Sequence, residues 1–429
     1  MREMKDSSIP WIGEIPKEWQ VNMLSSLFDE HKQKNKDLAE TNLLSLSYGK
    51  IVRKDINTKE GLLPESFDGY NIISRGDIVF RLTDLQNDKR SLRTGLCLEK
   101  GIITSAYVTI RERKPLNSSY FHYLLHSYDL CKVFYGMGDG VRQGMNYSDL
   151  RKLLVLHPTL AEQQRIAEFL DRKCAEVDEM IGLQEQIIEE LKAYKQSVIT
   201  EAVTKGLNPN APMRDSEIMY VDKIPSHWKE TKTLRLLSMP ITDGPHETPE
   251  GLDDGIPFIS ADAVSDGYIN FDNKWGYISQ EYYEACCKKY IPQKQDIYMI
   301  KSGASTGRTA IVETDEIFTI WSPLAVFRAN QEVILPYFLL YVLRSDSYQK
   351  QVENKWSFGT QQNIGMRTLE KLIISYPPIS EQQAIADYLD EKCADIDSLI
   401  QTKLSKIDSL KEYKKSIIYE YVTGKREVE

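Results

Sequence analysis

The chain has 429 residues, of which 41% are hydrophobic and 27% charged, and its formal net charge is −9. That length exceeds what one core fills and suits two domains with connecting elements. No apolar run approaches the ~20 residues of a membrane span, and the opening MREMKDSSIPWIG lacks the apolar stretch of a secretory leader.

Six cysteines (Cys97, Cys131, Cys174, Cys286, Cys287 and Cys393) show neither metal-ligand spacing nor a disulfide framework, so a cytoplasmic protein is expected. The acidic total speaks against a chain that neutralises phosphate over its whole surface. Most of that negative charge, however, falls in residues 159–206 and 379–429. The remainder is near neutral with local basic clusters, and a local patch decides phosphate binding.

From the amino terminus, residues 77–80, 101–103 and 107–110 read as strands, and 120–134 as an amphipathic helix. Loops between them carry Arg81, Lys89, Arg90 and Arg93, then Arg142, Gln143 and Asn146. A long helix is expected over 159–206. Its seam runs Val177, Ile181, Gln184, Ile188, Leu191, Lys195, Val198 and Ala202, in alternating steps of four and three that are the mark of a coiled coil. Gly206 stops it.

The pattern then returns. Strands are expected at 258–260, 296–300 and 325–327, and a helix at 336–352. Loop residues Lys301, Ser302, Ser305, Thr306 and Arg308 precede Gln361, Gln362 and Asn363. A second long helix over 379–429 carries the seam Ile396, Ile400, Lys403, Ile407, Leu410, Lys414, Ile417 and Tyr421, and Gly424 stops it. Each helix is long enough to need a partner. The matching seams point to an antiparallel pair, with the polar seam residues setting register or meeting another subunit; packing of each helix on its own domain is the alternative.

The return is a true repeat. From Pro158 and from Pro377, 219 residues later, 23 of 47 positions are identical. Shorter anchors extend it: Met4-Lys5-Asp6-Ser7 answers Met213-Arg214-Asp215-Ser216, Ile15-Pro16 and Trp19 answer Ile224-Pro225 and Trp228, and Gly140 and Gln143 answer Gly359 and Gln362. Between anchors the copies diverge. The expected organisation is a first head at 1–158, a helix at 159–206, a second head at 207–378 and a helix at 379–429. The fold class is α+β, with two mixed heads, two long antiparallel helices and an internal pseudo-two-fold.

The loop clusters suit DNA: Arg pairs with guanine, Asn or Gln with adenine, and Lys or Ser on glycine-rich backbone with phosphate. Any solvated loop contains such residues, so alone they are weak. Gly303 to Thr309 lacks the spacing and lysine of a nucleotide loop. His122 and His126 share a helix face at i,i+4, but no further ligand joins them in a zinc pattern. No nucleophile–base set and no converging acidic set emerges. The residues thus favour a non-catalytic reader; a stand-alone DNA nuclease or methyltransferase and a coiled-coil scaffold stay open.

The constant phrases carry a resemblance. Trp11-Ile12-Gly13-Glu14-Ile15-Pro16-Lys17-Glu18-Trp19, the twice-occurring Pro-x3-Glu-Gln-x2-Ile-Ala-x2-Leu-Asp from Pro158 and Pro377, and Thr204-Lys205-Gly206-Leu207-Asn208-Pro209 resemble the DNA-specificity subunit of type I restriction–modification enzymes. The resemblance spans nearly the whole chain. It implies two target recognition domains, each reading half of a split double-stranded DNA site, and a helical ruler for the spacer. It also implies docking of two methyltransferase subunits and of restriction subunits with translocase activity. Catalytic residues would belong to those partners, as would S-adenosylmethionine, ATP and Mg; none is implied in this chain. By position, the loops at 140–146, 301–308 and 359–363 fall in the recognition domains. The second copy departs from the pattern, with Tyr220-Val221-Asp222 where the first has the Trp-Ile-Gly phrase.

Overall fold

The computed structural model describes residues 2–57, 66–85, 92–137, 144–358 and 362–428. Two compact units emerge: Met1–Glu185 with Leu404–Glu429, and Gln186–Lys403. The division cuts both long helices, so each unit holds one head, half of the helix that follows that head, and half of the other helix.

In the first unit an antiparallel sheet runs in the order Phe28–Glu30, Val108–Glu112, Ile78–Phe80, Thr94–Leu96. The helix Ser118–Leu130 covers it, started by Asn117, whose side chain accepts from the Tyr120 amide at 2.9 Å. Phe28, Phe80, Phe121 and Phe134 fill the space beneath. Gln20–Met23 pairs with Leu154–His157, which delivers the chain to the first long helix, Leu160–Lys205. A separate hairpin, Leu44–Ser47 with Lys50–Arg53, lies beside Thr94–Leu96.

The second unit repeats the plan with a larger head. Thr242–Asp243, Leu324–Phe327, Ile297–Ile300, Thr309–Ile311 and Gly267–Tyr268 form one sheet, whose last pairing is parallel. Gly276–Ile278, Ile256–Ile259 and Thr319–Ile320 form another. Pro336 opens the helix Pro336–Arg344, and Ser345 caps the next, Asp346–Lys355, so the expected single helix at 336–352 is two. The second long helix is Ile379–Val422.

One strut recurs in both heads. Arg111 grips buried Asp77 with contacts of 2.6 and 2.7 Å, and Arg328 grips buried Asp296 with two of 2.7 Å. A carboxylate shut from water needs such a partner. The hydrogen bond to its aspartate holds each guanidinium above its already high ordinary value.

The seams behave as their spacing predicts. Val177, Ile188, Ala202, Ile396, Ile407 and Ile417 are buried, and the residues between them are mostly exposed. Within the first unit Phe169 stacks on Tyr421 (4.4 Å between rings) while Asp178 meets Lys414 at 2.7 Å, so the two helical segments run antiparallel. Within the second unit Lys195 meets Asp397 while Gly206 reaches Glu381, again antiparallel. Packing of each helix on its own head holds for the helix start alone, and each helix end enters the core of the other head. Ile166, Ala167 and Leu170 of one helix and Ile418 and Val422 of the other enter the first head's core. Ile199, Ala202, Val203, Ile385 and Leu389 enter the second head's core.

The repeated phrases now have physical causes. Glu162 accepts from the Trp19 indole at 2.9 Å, and Glu381 from the Trp228 indole at 3.1 Å. Gln163 bonds the Pro158 carbonyl and the Asn117 amide; Gln382 bonds the Pro377 carbonyl and the Leu335 amide. Each glutamine fastens a long-helix start to the start of the head's own helix. Gly206 and Gly424 end the helices at φ of +73° and +70°, and each lies against the tryptophan of the head where its helix ends.

Candidate nucleic-acid interface

In the second unit two distant loop segments form one platform. Lys301 donates its amide to the Pro323 carbonyl at 2.8 Å, and its carbonyl accepts from Ile364 at 2.9 Å. Ser302 bridges Asn363, and the Gly303 amide reaches the Gln362 carbonyl at 3.0 Å. The turn is tightened by Thr306, whose hydroxyl and amide both meet the Gly303 carbonyl, and by Arg308, whose amide meets the Ser305 carbonyl. Gly307 sits at φ +95° with Gln349 so close that any Cβ would collide. Lys301, Ser302, Ser305, Thr306, Arg308, Gln362 and Asn363 thus belong to one surface. Arg308 and Asn363 are exposed on it.

Behind this platform lies Asp243, a residue sequence reasoning passed over. Its carboxylate is 1% exposed and lies against the ammonium groups of Lys289 and Lys301, the latter at 3.0 Å, with His246 at 3.3 Å. Burial pushes its carboxyl up, but the two lysines outweigh burial and hold it below the usual carboxylate range. Asp243, Tyr282, Cys286 and Lys289 line a cavity of about 140 Å³. The signal in the sequence was Asp243-Gly244-Pro245-His246: a Cβ on Gly244 would lie 2.0 Å from the Ile320 carbonyl oxygen, so the backbone there tolerates only glycine. Lys301 is therefore largely spent on Asp243, with its side chain only 13% exposed.

The first unit makes the same junction with other side chains. The Met145 amide reaches the Leu82 carbonyl at 2.9 Å, and Met145 and Leu82 each precede Ile364 and Lys301 by 219 residues. Arg81 stands at this junction, its amide on the Arg93 carbonyl. Arg93 is fully buried. Its guanidinium meets the Thr83 carbonyl at 3.1 Å and lies over the Tyr135 ring, so it braces the loop and is closed to any ligand here. The Asn146 side chain caps the short helix Tyr147–Leu150 through the Ser148 amide at 2.7 Å. Lys89, Arg90, Arg142, Gln143 and Gln361 lie outside the described residues.

Among the described residues no three His, Cys, Asp or Glu side chains converge as a metal site. His122 and His126 do share a face, with ring centroids 6.0 Å apart. Burial pushes their pKa down to about 3 and about 4, helped by their mutual repulsion at His122 and by Lys414 at His126. They are neutral packing groups.

Residues 16–193 and 249–409 match the type I restriction modification DNA specificity domain, one stretch for each copy of the repeat. The chain belongs to this family. It is a type I restriction–modification specificity subunit, and the phrases repeated from Pro158 and Pro377 begin inside the two matched stretches. The chain is 26% identical over 324 residues to the type I restriction enzyme EcoBI specificity subunit of Escherichia coli, covering 73% of this chain and 68% of that one. It is 25% identical over 434 residues to the putative type I restriction enzyme MjaX specificity subunit of Methanocaldococcus jannaschii, covering 96% and 95%. A chain solved in work on complex assembly and conformational transition of the type I R-M system superposes with a TM-score of 0.70 at 18% identity, over 96% of this chain and 99% of that one. That likeness gives the fold alone. Among the described residues no helix is long and apolar enough to cross a membrane.

Proposed function

We propose that this specificity subunit reads a bipartite double-stranded DNA site, one half per unit, and carries no catalytic group of its own. The observation that supports this most directly is the repeated junction: Leu82 with Met145, and Lys301 with Ile364, join the same two loop segments in each head. Around that constant frame the side chains differ. A shared frame with unlike exposed groups is what two readers of two different sequences require. Arg308 and Asn363 supply the accessible donors in the second unit.

The long helices continue unbroken from one unit into the other, so in this reading their length sets the spacer between half-sites. Their exposed apolar residues support a docking role. The first unit's helical segments expose Met180, Leu183, Leu404 and Tyr413, and the second's expose Tyr194 and Leu399. Met180 is the repeat equivalent of Leu399, and Tyr194 of Tyr413. Duplicated apolar positions on an otherwise charged helix suit two copies of one partner, here two methyltransferase subunits, with restriction subunits joining them. S-adenosylmethionine, ATP and Mg would be bound by those partners.

The test is a reconstituted complex with its methyltransferase subunits and sequencing of the methylated adenines it makes. Replacing the second head should change one half-site and leave the other half-site and the spacer unchanged. A change in both half-sites, or turnover by the isolated chain given S-adenosylmethionine or metal, would overturn the reading.

A further inference from the structure

The hairpin of Leu44–Ser47 and Lys50–Arg53 turns through two residues, Tyr48 and Gly49, both with positive φ (46° and 79°). That is the tight turn for which Asn-Gly or Asp-Gly is the ordinary choice, because a side chain with a Cβ is strained there. A tyrosine in the first position is chemically out of place. It is also 80% exposed, more than any other large hydrophobic residue among the described ones. An aromatic ring is thus held in water on a strained backbone, a feature that folding does not call for.

The hairpin beneath it is firmly seated. Leu44 and Leu46 are buried, Leu46 and Ile51 close over Gly95 with no room for a Cβ, and Arg53 pairs with Glu99. Gly49 lies against Leu92 and His126, so the tip adjoins the strand that follows the Arg81 loop. By register, Ser45, Ser47, Lys50 and Val52 share the outer face. Lys50 and Lys54 are exposed, and their side chains make no ion pair or hydrogen bond among the described residues. One aromatic ring between neutral hydroxyls and open ammonium groups suits DNA better than protein. A protein-docking patch would need contiguous apolar surface, whereas phosphates match the lysines and a base face matches the ring.

We propose that Tyr48 is a DNA-stacking residue of the first unit, its ring wedging into a base step of the duplex that opens to receive it while Lys50 and Lys54 hold the flanking phosphates. The rigid seat fixes the backbone that carries the ring before binding, so side-chain rotation is the main freedom lost on contact. This rests on the DNA-reading function proposed above.

The experiment uses the full chain and a random-sequence duplex pool carrying 5-iodouracil, at low salt. Irradiation should crosslink the peptide containing Tyr48. Tyr48→Asn should raise the thermal midpoint, since asparagine accepts the left-handed conformation, yet weaken pool binding about tenfold. Tyr48→Phe should retain both affinity and crosslink. If the wild type binds but crosslinks only elsewhere, or Tyr48→Asn binds as well as the wild type, the stacking role is wrong and the DNA-reading function stands. If the wild type shows no salt-sensitive binding to the pool, alone or with its methyltransferase subunits, the DNA-reading function fails and this inference with it. A Tyr48→Asn chain that binds DNA normally but loses a partner subunit would assign the tip to protein docking instead.

Discussion

Lys195 and Asp397 form an ion pair at 2.8 Å inside the second unit, and their repeat equivalents Lys414 and Asp178 form the same pair at 2.7 Å inside the first. The two pairs show how an internal repeat closes on itself: a lysine from late in one helix meets an aspartate from early in the other, twice. Their surroundings differ. Lys195 is nearly buried and also reaches Asp266 of the second head at 3.3 Å, whereas Lys414 is more open.

The difference in burial predicts a difference in cost. Lys195→Ala should destabilise by about 1–2 kcal/mol, because a packed stem and two acidic contacts are lost together. Lys414→Ala should stay within about 1 kcal/mol. Lys195→Met, which keeps the stem, should recover most of the loss. Thermal unfolding of the full chain and its three variants checks the order.

Glu162 offers a second test. Its carboxylate accepts from the Trp19 indole and pairs with Arg2 at 2.6 Å, and its side chain is 8% exposed. Glu162→Ala strands a buried N–H and leaves Arg2 with Glu18 alone, and should cost about 1–3 kcal/mol. Glu381→Ala, at the half-exposed equivalent with Trp228 and His227, should cost less. Denaturant midpoints of the two variants compare them directly.

Gly424→Ala is expected to be the harsher of the two helix-end substitutions. A Cβ there would lie 2.4 Å from Pro16 Cδ, on a ring that cannot move aside, whereas at Gly206 it would lie 3.1 Å from a flexible Glu381 oxygen. Both positions also carry positive φ, which alone costs roughly 1 kcal/mol. Melting curves should show a clearly larger drop for Gly424→Ala.

Acid should loosen the first unit. The folded-state pKa values of His122 and His126 lie below the ordinary 6.5, at about 3 and about 4, so protons bind the unfolded chain more tightly. The stability they confer is complete above pH 6.5 and is lost as the pH falls from there toward 4 and 3. Between pH 7 and 5 the loss should be on the order of 2 kcal/mol per histidine. A double variant, His122→Gln with His126→Gln, should flatten the dependence of thermal midpoint on pH in that window.

Arg308 and Asp243 separate reading from positioning. Arg308→Ala should cost about 1–3 kcal/mol at its half-site if the guanidinium meets a base, or lower the salt dependence by about one unit of slope if it meets a phosphate. Asp243→Asn should loosen Lys301 and Lys289, weakening DNA binding while the slope holds or rises as the lysines are freed. Titrations of the reconstituted complex at several salt concentrations distinguish these outcomes.

The elements that repeat and the faces that pack are legible in the order of residues alone. The four-and-three spacing from Val177 to Ala202 and from Ile396 to Ile417 specified which side of each helix would be buried, because helical geometry places those positions on one stripe. Gly206 and Gly424 marked the helix ends for an equally local reason. Which candidate polar residues stand at a surface follows from the folded chain. Arg93 and Arg308 look alike in the chain, yet one is locked beneath a loop and the other is exposed. Asp243 acquired its role from Lys289 and Lys301, 46 and 58 residues away in sequence. Periodicity is a property of neighbours along the chain and survives in a string of letters. The burial and pairing of a charge depend on which distant segments fold against it, and no local spacing encodes that.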